Sequence, residues 1–109
     1  MKKENRFQRE LIEDLEELFP GCIVMKLDAN YIQGIPDLLV LYNNKWAALE
    51  CKRSEHEYVN DQRPNQDYYI RVMNEMSFAR FIYPENKEEV LDELQRAFRS
   101  RRTARFSRS

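Results

Sequence analysis

Two strand-length apolar runs on either side of an Asn-Asn pair constrain this chain more than any other feature. They are Asp37-Leu38-Leu39-Val40-Leu41-Tyr42 and Lys45-Trp46-Ala47-Ala48-Leu49-Glu50-Cys51-Lys52, with Asn43-Asn44 between them as a turn signal. Together they predict an antiparallel hairpin. Six residues lead from Asp37 to the turn and six lead from the turn to Glu50, so these two acids arrive at neighbouring positions at one end of the hairpin.

The rest of the chain supplies elements to cover it. Phe7, Leu11, Leu15 and Leu18 recur at helical spacing, with Ile12 and Phe19 widening the stripe. They predict an amphipathic helix of about 16 residues, ended by Pro20-Gly21. Residues 22–27 predict a strand, followed by a loop to Pro36 in which Gly34 permits backbone geometry other residues resist. Residues 53–63 are polar and charged and predict a long loop. Pro64-Asn65-Gln66 opens a second helix, with Tyr69, Ile70, Val72, Met73 and Met76 at helical spacing. Residues 78–83 predict a strand closed by Pro84, and a last helix starts at a capping Asn86 and reaches about Phe98. The order is α-β-β-β-α-β-α, one α/β domain over residues 1–98 with a basic tail over residues 99–109.

Composition bounds the function. A chain of 109 residues buries one modest core. Its net charge of −1 hides an asymmetry: the last eleven residues hold five arginines and no acid, which leaves residues 1–98 at −6. An acidic body carries a basic tail. Two cysteines, Cys22 and Cys51, and one histidine make neither a disulfide framework nor a zinc site, which points to a reducing cytoplasm. No apolar run approaches the roughly 20 residues of a membrane span, and no apolar segment follows Met1-Lys2-Lys3, so neither membrane insertion nor secretion is expected.

The chemistry gathers at the hairpin's open end. Glu50 and Lys52 are two apart on one strand and share a face, and the hairpin brings Asp37 beside them. Two adjacent carboxylates repel each other unless a cation joins them. Mg²⁺ and Mn²⁺ accept one or two carboxylates, with water and phosphate oxygens completing the shell. Such an ion activates a water and polarises a phosphodiester. Lys52 then offers a fixed positive charge where negative charge develops.

These residues also carry a resemblance. Gly34-Ile35-Pro36-Asp37-Leu38-Leu39 followed by Leu49-Glu50-Cys51-Lys52 resembles the signature of the PD-(D/E)XK nuclease superfamily. Glu4-Asn5-Arg6-Phe7-Gln8, Gly34 before Pro36-Asp37, and Gln66 are similar to the VRR-NUC branch, which includes small stand-alone proteins of bacteriophages and bacteria. The likeness covers residues 4–94. It implies a restriction-endonuclease-like α-β-β-β-α-β core with a mixed central sheet flanked by helices. It also implies that Asp37, Glu50, the main-chain carbonyl of Cys51 and Glu4 hold Mg²⁺ or Mn²⁺. On the same grounds Lys52 orients the attacking water and stabilises the phosphorane, with Gln66 in support. Glu10 is an alternative to Glu4 on that helix. The implied activity is metal-dependent endonuclease cleavage of DNA, with branched DNA such as four-way junctions as substrate, by a homodimer in the cytoplasm of a bacterial or phage-infected cell.

Around this site Lys26, Arg53 and Arg63 are candidate phosphate contacts, as are Arg99, Arg101 and Arg102 of the tail. Cys51 alternates away from Glu50 and Lys52, which places its thiol in the core. His56 falls in the charged loop, as a DNA contact or a solvated side chain. Tyr68, Tyr69, Phe78, Phe81 and Tyr83 have a spacing that suits core packing better than base stacking. No recognition helix or zinc finger is present, so DNA shape and not sequence is the expected target, branched or duplex. The competing readings are a non-catalytic DNA-binding module of the same fold, a nicking enzyme or exonuclease, and a protein-interaction module in which the Asp37, Glu50 and Lys52 pattern is accidental.

Overall fold

In the computed structural model, which describes residues 5–99, Leu11 and Leu15 form the buried stripe of helix α1, Arg6–Leu18. The Asn5 side chain caps it by accepting from the Gln8 N–H at 2.7 Å. Strand β1, Ile23–Lys26, is followed by β2, Leu38–Tyr42, and β3, Lys45–Cys51. The connecting turn is the anticipated one, with Asn43 in the left-handed region at φ 56°. Two helices follow, α2, Glu55–Asn60, and α3, Pro64–Met76, then strand β4, Phe78–Ile82, and helix α4, Lys87–Arg99.

The four strands form one mixed sheet in the order β1-β2-β3-β4. The pairs β1–β2 and β2–β3 are antiparallel, whereas β3–β4 is parallel. A parallel neighbour needs a crossover, and α2 with α3 provides it. Strand alternation then divides the sheet into two faces. Leu38, Val40, Ala47, Leu49, Phe78 and Ile82 face α1 and α4, and with Leu11, Leu15, Val90, Leu94 and Phe98 they make the core. Phe19, Tyr42 and Phe98 close one end of it with ring centroids 5.0–5.7 Å apart. The opposite face carries Ile23, Met25, Leu39, Leu41, Trp46, Ala48 and Glu50, and α3 lies over its β3–β4 half.

The element order agrees with the sequence reading except over residues 53–63. What reads as a loop contains the short helix α2, capped by the Ser54 hydroxyl accepting from the Glu57 N–H at 3.1 Å. Ser54-Glu55-His56-Glu57 is a capping-box pattern, the local signal for a helix start. Asn86 stands before α4, yet its amide turns back to the preceding strand: it accepts from the Tyr83 N–H and donates to the Phe81 carbonyl. Helix α1 is 13 residues long, shorter than expected, because Phe19 already leaves the helical path to join the core. Among the described residues no helix is long and apolar enough to cross a membrane.

Candidate active site

The hairpin register settles the geometry of the two acids. Leu38 pairs with Leu49, so one step toward the open end sets Asp37 directly across from Glu50. The β1–β2 ladder runs on past its last pair, with the Leu27 N–H donating to the Asp37 carbonyl at 2.8 Å. Both carboxylates thus sit on the face covered by α3, where like charges on paired strands repel. The Asp37 carboxylate is anchored by the Cys51 N–H, which donates to Oδ2 at 2.9 Å. The Lys52 N–H points the other way, to the Ile82 carbonyl of β4. Successive residues of a strand alternate in this respect, so the Cys51 carbonyl is directed to the Asp37 side.

Glu50 is the unusual member. Its side chain is 4% exposed, and Oε1 is buried with no hydrogen-bond partner. Burial, and next the neighbouring Asp37 charge, raise its carboxyl from 4.5 to about 8, while Lys52, the Asp37 N–H and Arg63 pull the other way. An orphaned buried carboxylate oxygen is costly in a protein interior unless something binds it.

Lys52 follows on the same face and is also buried, at 6% exposure. Its ammonium donates to Gln66 Oε1 at 2.8 Å and lies 3.5 Å from the Asp61 carbonyl. Gln66 stands in the first turn of α3, where the Pro64 start directs it back over the sheet. Asp37, Glu50, Lys52 and Gln66 thus lie together at the open end of the hairpin.

These groups open onto a groove of about 1080 Å³. Lys26, Arg53 and Arg63 line it. Arg53 pairs with Glu57, and Arg63 is steadied by Asp61 at 3.1 Å. Asn5, the cap of α1, and Gln8 border it as well, residues of the Glu4–Gln8 segment to which the sequence reading gave no role in the site. Glu4, Arg101 and Arg102 lie outside the described residues. Glu10, the alternative to Glu4, pairs with Arg6 at 2.8 Å on the solvent side and does not reach the groove. Arg99 ends α4 and is exposed. His56 is exposed on α2 and does not line the groove. The Cys51 thiol packs against the core, where burial pushes it up to about 12. Of the aromatic candidates, Phe78 is core and Phe81 and Tyr83 pack on Tyr58, whereas Tyr68 is exposed.

The groove wall formed by residues 27–36 is held in place at Gly34. Its φ is +91°, and a Cβ there would lie 2.4 Å from the Asn65 Cβ and 2.8 Å from the Asn65 carbonyl carbon. Gly34→Ala therefore combines backbone strain with a clash against α3, and is expected to cost about 2–3 kcal/mol. The urea midpoint reads this directly, and an unchanged midpoint would contradict the close approach.

Among the described residues no group of three or more His, Cys, Asp or Glu side chains is placed to hold a metal ion. The available donors are the two carboxylates and the Cys51 carbonyl, a set that suits a hard cation retaining water and phosphate oxygens. Comparison with protein-family models, curated proteins and solved structures finds no match to this chain.

Proposed function

We propose that the chain is a divalent-metal-dependent endodeoxyribonuclease of the PD-(D/E)XK type, similar to the VRR-NUC branch. One observation carries the reading: Asp37 and Glu50 face each other across paired strands with Glu50 Oε1 buried and unpartnered, and Lys52 stands beside them on the same face. The orphaned oxygen fits a cation, and Asp37, Glu50 and the Cys51 carbonyl would hold Mg²⁺ or Mn²⁺. The ion, when bound, would supply Lewis-acid polarisation of the scissile phosphate and lower the pKa of a water.

The chain's own residues do the remaining work. The Cys51 N–H fixes one Asp37 oxygen. Gln66 and the Asp61 carbonyl hold the Lys52 ammonium in place. From there it orients the attacking water and meets the charge that builds on the phosphate oxygens, with little reorganisation because its geometry is already set. Water attacks phosphorus, the P–O bond to the leaving sugar oxygen breaks, and the water's proton passes to solvent or to the departing oxygen. Lys26, Arg53 and Arg63 contact flanking phosphates without reading sequence. Four-way junctions and other branched DNA are the substrates that the family resemblance implies.

The test uses purified protein with labelled linear duplex, supercoiled plasmid and an immobile four-way junction, each in Mg²⁺, Mn²⁺ or EDTA. Cutting with either metal and none in EDTA is expected, with the junction cut fastest. DNA binding without cleavage in either metal would overturn the enzymatic reading in favour of a binding module.

A further inference from the structure

Strand β4 is an outer edge of the sheet, and side chains of the same chain close most of its unpaired side. The Lys52 N–H donates to the Ile82 carbonyl, so the backbone groups of Phe78, Arg80 and Ile82 point to β3 and those of Ala79, Phe81 and Tyr83 point outward. Asn74 Oδ1 accepts from the Ala79 N–H at 3.1 Å, and Arg80 donates to the Ala79 carbonyl at 3.0 Å. Asn86 accepts from the Tyr83 N–H at 2.8 Å and donates to the Phe81 carbonyl at 3.1 Å. The Phe81 N–H receives no such cap from the described residues. One open donor between capped neighbours admits a single acceptor and not an added strand.

Phe81 lines a cleft of about 430 Å³ between β4, α2 and α3, and none of the cleft's lining residues lines the groove of the candidate active site. One wall is aromatic: the Tyr58 ring centroid lies 5.1 Å from that of Phe81 and 5.3 Å from that of Tyr83. The polar groups divide by sign. Arg80 is engaged by Glu93 and Asn74. Arg71 is exposed, rests on the Tyr68 ring at 5.6 Å, and has no carboxylate partner among the described residues. Because Asn74 Oδ1 accepts from both Ala79 and Arg80, its Nδ2 remains a donor. At the other end burial first, then Glu55 and more weakly Tyr58, Glu85 and Glu89, raise the Tyr83 hydroxyl. An anion therefore settles at the Arg71 end and a neutral ring at the Tyr83 end.

We infer that this cleft binds one nucleotide, its phosphate on Arg71 and Asn74 and its base along the wall of Tyr58, Phe81 and Tyr83. The Phe81 N–H then meets a ring nitrogen or carbonyl of the base, acceptors that nucleobases carry. A simple anion would leave the aromatic wall unused, and an uncharged ring would leave Arg71 unused; a nucleotide engages both. The volume lies within the roughly 300–1,000 Å³ of small-ligand sites, room for one nucleotide and not for a duplex. The occupant is a free nucleotide or the unpaired end of a strand, which present the same base and phosphate. The inference rests on the cleft alone and not on the nuclease reading, although Phe81 stands between the two sites: it pairs in register with Glu50, and its ring lies 6.0 Å from Lys52 Nζ.

Amide NMR of the full chain in EDTA reads the proposal, with no metal present to support cleavage. Deoxyadenosine monophosphate is expected to bind saturably with a dissociation constant of about 0.1 mM and to shift the Phe81 amide most. Inorganic phosphate and deoxyadenosine each make part of the contacts and are expected to bind at least about 10-fold more weakly. Arg71→Ala, at an exposed position that the fold tolerates, is expected to weaken nucleotide binding at least about 10-fold, whereas Arg96→Ala, the same loss of charge on α4, leaves it unchanged. A short duplex with a single-nucleotide overhang, set against its blunt form, separates the two sources. A Phe81 shift with the overhang tighter than with the free nucleotide assigns the cleft to a strand end, and a shift with the free nucleotide alone assigns it to that ligand. Shifts confined to the groove, nucleotide binding untouched by Arg71→Ala, or inorganic phosphate binding as tightly as the nucleotide would each overturn the proposal. So would a Phe81 amide that neither probe moves.

Discussion

Lys52→Met is expected to slow metal-dependent DNA cleavage by about 10²–10³-fold while the protein stays folded. Methionine keeps most of the buried aliphatic stem and removes only the ammonium, so packing against the surrounding strands survives. What is lost is the charge that Gln66 and the Asp61 carbonyl hold 2.8 and 3.5 Å away. In the proposed reaction that charge acts on the transition state, so the loss falls on kcat with KM little changed. Gln66→Leu leaves the ammonium in place but frees it to wander, and a smaller loss of about 10-fold is expected. Single-turnover rates with saturating Mg²⁺ measure both. Wild-type kcat in Lys52→Met would remove this residue from the chemistry.

The second large effect concerns Glu50 and pH. Its carboxyl is raised from 4.5 to about 8 in the folded chain, by burial first and the Asp37 charge second. The sign follows from proton counting: between these values the folded state holds a proton that the unfolded state has lost, so folding stability falls as pH rises. Below pH 4.5 the group is protonated in both states, and above about 8 it is ionised in both, so the loss is confined to that window and then levels off. Its size is about 3–5 kcal/mol, enough to lower the thermal midpoint of the metal-free protein by 10 °C or more between pH 5 and 9. Glu50→Gln abolishes the decline, because an amide matches the protonated acid at every pH. Mg²⁺ or Mn²⁺ restores wild-type stability at pH 8–9 and does nothing for Glu50→Gln, since a bound cation replaces the proton. Thermal melts of both proteins in EDTA and in metal test this, and a flat wild-type profile in EDTA would contradict it.

Much of the site was legible because one short turn determines it. Asn43-Asn44 leaves a single register, and counting outward from it sets Asp37 against Glu50 with no knowledge of the helices. Lys52 follows from strand alternation, whereas Gln66 entered only through the family resemblance. Helix α2 escaped because its six residues are too few to show an apolar periodicity, and only the Ser54 cap betrays them. Glu10 was the alternative to Glu4 for the helix acid that the resemblance implies, but spacing along α1 turns it toward Arg6 and solvent. The unequal covering of the sheet was beyond reach for another reason. The Leu-rich run of β2 announces apolar residues on both faces, while the number of helices that land on each face depends on connections that local patterns do not encode. The burial of Glu50 is likewise a tertiary property, set by α3 closing over β3.

Calorimetric titration of metal-free protein with Mn²⁺ at pH 7, in two buffers of different ionisation enthalpy, probes the carboxylate pair itself. If Asp37 and Glu50 form a cation site, Mn²⁺ binds saturably and expels close to one proton per chain, because Glu50 with a pKa of about 8 is mostly protonated at that pH. The released proton disappears in Glu50→Gln, and affinity falls at least about 10-fold in both Glu50→Gln and Asp37→Asn. Wild-type protein that binds no Mn²⁺, or binds it with no proton released and no dependence on either acid, would contradict the assignment.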